Sequence, residues 1–93
     1  MVSINEELTV AKAAKAAIKA LLAATSKTAV LATLRKANHA AILNLSGGGT
    51  LNEARGKVGI ALSNIMHGPP TKEKIEEANS AIDAWITELE RKL

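Results

Sequence analysis

Six positions in this chain carry side chains, or lack them, in ways a bare scaffold does not require: Asn38, Asn79, Gly56, Gly59, Ser63 and Trp85. Asn38 falls among Leu31, Leu34, Ala41 and Leu45 at helical spacing, and Asn79 falls at the flank of an apolar stripe nearer the C-terminus. A buried amide left without a partner costs about 1–3 kcal/mol. Such amides therefore either fix helix register through paired hydrogen bonds or offer hydrogen-bonding groups to a small ligand. Gly56 and Gly59 share a side of their segment with Ile60 and Ser63, away from the main apolar face. Each interior glycine costs about 1 kcal/mol against alanine, so something is expected to approach that backbone closely. The candidates are a neighbouring helix, a second chain or a small ligand. Trp85 is the only aromatic residue and needs an acceptor for its N–H if it is buried.

The remaining reactive side chains are scattered. His39 projects with Arg35 and Ala32 on a solvated side, and His67 ends a helix, where a partly charged imidazole suits the dipole. Two histidines without a His/Glu grouping at i, i+4 give no metal signature, and no spacing demands haem or another cofactor. Asp83 beside Trp85 in sequence would suit proton abstraction, but the two fall on different sides of a helix. Lys15 is the lysine nearest an apolar sector and the best-placed amine nucleophile. Gly47-Gly48-Gly49-Thr50 leads into a helix, the setting for anion binding, yet the phosphate-loop pattern is missing and Glu53 would repel an anion. A flexible connection is the better reading.

These residues must be positioned by a small domain. The 93 residues form one domain (1–93) that is 47% hydrophobic and carries a net charge of +3. Phe, Tyr and Cys are absent. Disulfides and thiolate chemistry are thereby excluded. Alanine is abundant, giving high helix propensity and a thin, closely packed core. No apolar run reaches the roughly 18 residues of a membrane span, and Glu6 and Glu7 stand where a secretory leader would be basic. A cytoplasmic setting is the expectation. Lys12, Lys15 and Lys19 stripe one flank of the first helix, while Glu73, Glu76, Glu77, Asp83, Glu88 and Glu90 crowd the last. The two flanks can pair within the fold, so nucleic-acid and membrane binding are not favoured.

Four helices are expected, at about 4–24, 27–45, 51–66 and 71–92, in an all-α antiparallel four-helix bundle. Ser3 with Glu6, and Thr50 with Glu53, read as capping boxes. The apolar stripes before and after residue 26 point to nearly opposite sides, so one unbroken helix would need two cores. A turn capped by Thr25 or Ser26 resolves this. Gly47 is a plausible C-terminal stop for the second helix, and His67-Gly68-Pro69-Pro70 ends the third, with Thr71 or a proline opening the fourth. Expected core positions are Val10, Ala14, Ile18, Leu21 and Leu22; Val30, Leu34, Ala41 and Leu45; Leu51, Ala54, Val58, Leu62 and Ile65; and Ile75, Ala78, Ile82, Trp85, Ile86, Leu89 and Leu93.

The paired capping boxes, punctuated loops, alanine-rich helices and the ending Glu88-Leu89-Glu90-Arg91-Lys92-Leu93 resemble de novo designed antiparallel helical bundles. The resemblance spans the whole chain and implies a soluble scaffold. The two interior glycines and Asn38 depart from idealised design practice, which marks them as places where a built function would sit. The favoured expectation is thus a scaffold or interaction module without chemistry, self-associating through the Gly56, Gly59 and Ser63 face. The first alternative is a bundle that binds a small hydrophobic ligand among Asn38, Asn79, the glycines, Ser63 and Trp85. The second is a minimal enzyme using His39, Lys15 or Asp83.

Overall fold

The structure is a computed structural model and describes residues 3–21, 28–45, 49–68 and 70–93. Four helices follow one another: α1 (Ile4–Ala20), α2 (Thr28–Leu43), α3 (Thr50–Met66) and α4 (Lys72–Glu90). α1 packs on α2, α2 on α3, α3 on α4, and α4 back on α1. The diagonal pairs α1/α3 and α2/α4 stay apart. This closed ring is a four-helix bundle of 36 × 20 × 19 Å, as the hydrophobic periodicity requires. Among the described residues, no helix is long and apolar enough to cross a membrane.

Local signals set most helix ends. Ser3 Oγ accepts from the Glu6 N–H at 3.1 Å, and Thr71 Oγ1 accepts from the Lys74 N–H at 3.2 Å. Each satisfies one of the orphan donors of a first turn. The start of α3 differs from expectation. Gly49, not Thr50, is its N-cap, with φ +108° and no side-chain cap bond, and the Gly49 carbonyl accepts from the Glu53 N–H at 3.0 Å. A threonine would be strained at that φ, so Thr50 becomes the first helical residue instead of a cap. The expected extension to Ala24, the turn at Thr25 or Ser26, the start at Lys27, Leu22, the stop at Gly47 and Pro69 lie outside the described residues.

The core follows the stripes, with exceptions at helix ends. All five positions expected of α3 are buried, as are Ala14, Ile18 and Leu21, Leu34 and Ala41, and Ile75, Ala78, Ile82, Trp85 and Leu89. Val10, Val30 and Ile86 are only half-buried, packing on the rim. Leu45 and Leu93 are corrections: they are 40% and 67% exposed. α2 ends at Leu43 and α4 at Glu90, so helical phase no longer aims these side chains inward. Of nineteen buried apolar residues among those described, seven are alanine. Such small side chains let helices approach closely but bury little area each.

Candidate functional site

The bundle interior contains a charged residue on each of two diagonal helices. Glu7 has no exposed surface and Arg55 is 9% exposed. Arg55 reaches across the bundle axis and grips the Glu7 carboxylate with two bonds, Nε to Oε2 at 2.8 Å and Nη2 to Oε1 at 2.7 Å. Trp85 Nε1 donates to Oε2 at 2.7 Å, and Asn44 Nδ2 donates to Oε1 at 2.9 Å. Arg55 Nη1 also donates to the Asn44 carbonyl at 3.1 Å. One carboxylate thus ties α1, α3, α4 and the chain just past α2. Glu7 and Arg55 lie near helix starts, whereas Asn44 and Trp85 lie at or near helix ends. The four meet at one end of the bundle only because the helices alternate in direction.

Electrostatics make this node self-consistent. Burial by itself pushes the Glu7 carboxyl up. The hydrogen bonds from Arg55, Asn44 and Trp85, with the Arg55 charge, outweigh that penalty and hold it below its ordinary 4.5. An ionised carboxylate offers about four acceptor sites, and four donors occupy them here. No lone pair is left for a substrate proton or a metal, so the node is structural. It answers the question of what accepts the indole N–H.

The sequence gives a signal for this node that hydrophobic patterning alone passes over. Glu7 is in phase with Ala11, Ala14 and Ile18; Arg55 is in phase with Leu51, Val58 and Leu62; Asn44 is in phase with Ala37 and Ala41. Opposite charges on two core stripes, each in the first turns of its own helix, mark a buried pair.

The singled-out residues separate into three places. Trp85 is fully buried in the node. Asn79 lies one turn before Asp83, whose carboxylate pairs with Lys15 of α1; it therefore flanks α1. Asn38, Gly59, Gly56 and Ser63 lie together at the α2–α3 junction. Asn38 and Asn79 sit on diagonal helices whose backbones do not approach, and neither of the two surface grooves described below is lined by Asn38, Asn79 or Trp85. Asn38 Oδ1 and Asn79 Oδ1 are buried and accept no hydrogen bond from the described protein groups. Ser63 Oγ and His67 Nδ1 share a hydrogen bond at 3.1 Å, and the His67 N–H closes the end of α3 on the Ser63 carbonyl. His39 is exposed on α2, and the Lys15–Asp83 pair is exposed by 39% and 45% of its side-chain surfaces. Of the three residues weighed for catalysis, Lys15 and Asp83 are brought together.

The two helix-α3 glycines do different things. A Cβ at Gly59 would lie 3.3 Å from Ile42 Cγ1 and 3.6 Å from Asn38 Oδ1, so this glycine lets α2 and α3 close on each other. A Cβ at Gly56 would meet nothing within 4 Å. Over Gly56 runs an open groove of about 500 Å³ walled by Ile42 and Leu45 on one side and Ile60 on the other. Those walls are 51%, 40% and 68% exposed. Among the described residues, no group of three or more His, Cys, Asp or Glu is placed to hold a metal. No protein-family model, curated protein or solved structure matches the chain.

Proposed function

We propose that this bundle is an interaction module without chemistry of its own, and that the α2–α3 groove over Gly56 docks a second copy of the chain. The observation that carries the reading is the empty space over Gly56. A helix-interior glycine costs about 1 kcal/mol, and among the described residues none uses the room it leaves. One turn further along the same helix stands Ile60, 68% exposed. Notch and ridge on one helix are self-complementary. A two-fold axis near Val58 would seat each Ile60 in the partner's Gly56 notch, which is how isologous contacts form.

The expected dimer is weak. The contact uses only the α2–α3 flank around Gly56 and Ile60, whereas a standard stable interface takes roughly 800 Å² from each partner. Gly56→Leu tests the proposal because its Cβ has free room, so the fold is kept while the notch is filled. Heat released on diluting the concentrated parent should disappear in this variant, with unchanged helical circular dichroism. Equal dilution heats in parent and variant would contradict the proposed contact. A second reading, a small-molecule site opening between α2 and α3 beside Gly59, rests on Asn38 Oδ1, which is buried there and accepts no hydrogen bond from the described groups. If Asn38→Leu binds apolar hydrogen-bond donors such as phenols as well as the parent does, that reading fails.

A further inference from the structure

Ile60 is the ridge between two grooves, and the second has a different character. It runs between α3 and α4 with a volume of about 730 Å³. Its apolar floor is Ile60, Ala61, Ala81 and Ala84. Three small alanines leave a furrow rather than a filled surface. Along its α4 wall stand Glu73, Glu76 and Glu77, and Lys57 is the only cation among the lining residues. Elsewhere on α4, Asp83 pairs with Lys15 and Glu88 with Arg91. Among the described residues, none of the three groove glutamates has a cation within ion-pair distance. The chain as a whole is positive, +3, so this acidic wall is a local feature set against the overall charge.

We infer that the α3–α4 groove docks a cationic amphipathic helix from another protein. From Glu73 to Ala84 the wall spans about three helical turns, or roughly 16 Å. That length suits a partner helix of about 12–16 residues with apolar anchors at i, i+4 and i+7 and Lys or Arg beside them. The anchors would lie on the alanine floor against Ile60, and the cations would face Glu73, Glu76 and Glu77. A second copy of this chain fits less well. Its lysine-bearing α1 flank presents Ala13, Ala16 and Ala20 beside Lys12 and Lys19, which offers charge without large apolar anchors. Net positive charge also opposes long-range capture of any plain polycation, so the apolar stripe must contribute. This inference stands on a different groove from the self-association reading and does not rest on it.

The test is an anisotropy titration with a labelled 16-residue helix carrying Leu at i, i+4, i+7 and i+11 and Lys beside them. It is run on the parent and on Gly56→Leu, which removes the proposed dimer contact without touching this groove. Saturable binding to both is expected, weakened at least tenfold in Glu76→Lys/Glu77→Lys and by added salt. A peptide with the same lysines but Ser in place of Leu should bind at least tenfold more weakly. Absence of saturable binding to both proteins would overturn the inference. So would equal binding to the charge-reversed variant, or equal binding of the Ser peptide.

Discussion

Replacing Glu7 by Gln changes one atom of the buried node and should cost a large part of the fold's stability. The carboxylate accepts from Arg55 twice, from Asn44 and from Trp85. A glutamine amide keeps one acceptor and turns the other into a donor. If its nitrogen takes the Oε2 place, it faces Arg55 Nε–H and Trp85 Nε1–H; at the Oε1 place it faces Arg55 Nη2–H and Asn44 Nδ2–H. Either way two buried donors lose their acceptor, at about 1–3 kcal/mol each, and Arg55 is left without its counter-charge. Breaking one side of a buried ion pair costs about 3–5 kcal/mol, which agrees with that sum. Against the roughly 5–15 kcal/mol of a whole domain, the urea midpoint should fall by about a fifth or more. Trp85 fluorescence reports the transition, because it is the chain's only aromatic residue. The double change Glu7→Leu/Arg55→Met removes both charges and should cost less than the sum of the single changes. A Glu7→Gln midpoint equivalent to less than about 1 kcal/mol from the parent, with the same slope, would refute the reasoning.

Other expectations follow from the same geometry. The folded Glu7 carboxyl is held below its ordinary 4.5, so the unfolded chain takes up that proton at higher pH than the folded one does. Its stability contribution is complete above about pH 4.5 and is lost as pH falls below it; acid titrations by circular dichroism should show that slope in the parent and a reduced one in Glu7→Gln. Gly56→Ala meets open space and should stabilise by about 0.5–1 kcal/mol, read as a rise in Tm. Gly59→Ala meets Ile42 Cγ1 at 3.3 Å, so its gain should be smaller in the same melt, although half-exposed Ile42 can shift. Thr71→Ala removes the α4 cap and should cost about 1 kcal/mol in urea unfolding.

The sequence made the helices and most of the core legible because periodicity and caps are local. Ser3 and Thr71 act where their neighbours predict they should. Thr50 did not cap because Gly49 takes a left-handed φ that only glycine adopts easily. Leu45 escaped the core because α2 stops two residues earlier, a boundary that apolar phase alone does not set. The node was the harder case. Glu7 reads as an acidic residue in a first turn, favourable to the helix dipole, and Arg55 as one more surface cation. Only their common phase with the core stripes, on helices that lie diagonal in the fold, reveals the pair. Likewise Gly56 and Gly59 look equivalent in sequence, and only the approach of Ile42 to one of them tells a packing glycine from one left open.

The most direct test of the interaction reading is absolute mass in solution, by size-exclusion chromatography with light scattering across a hundredfold concentration range. The parent should rise with concentration from the 9.7 kDa monomer toward twice that mass, and Gly56→Leu should stay monomeric throughout. A parent that remains monomeric over the whole range, or a variant that dimerises as the parent does, would contradict the assignment of the Gly56 groove as the contact face.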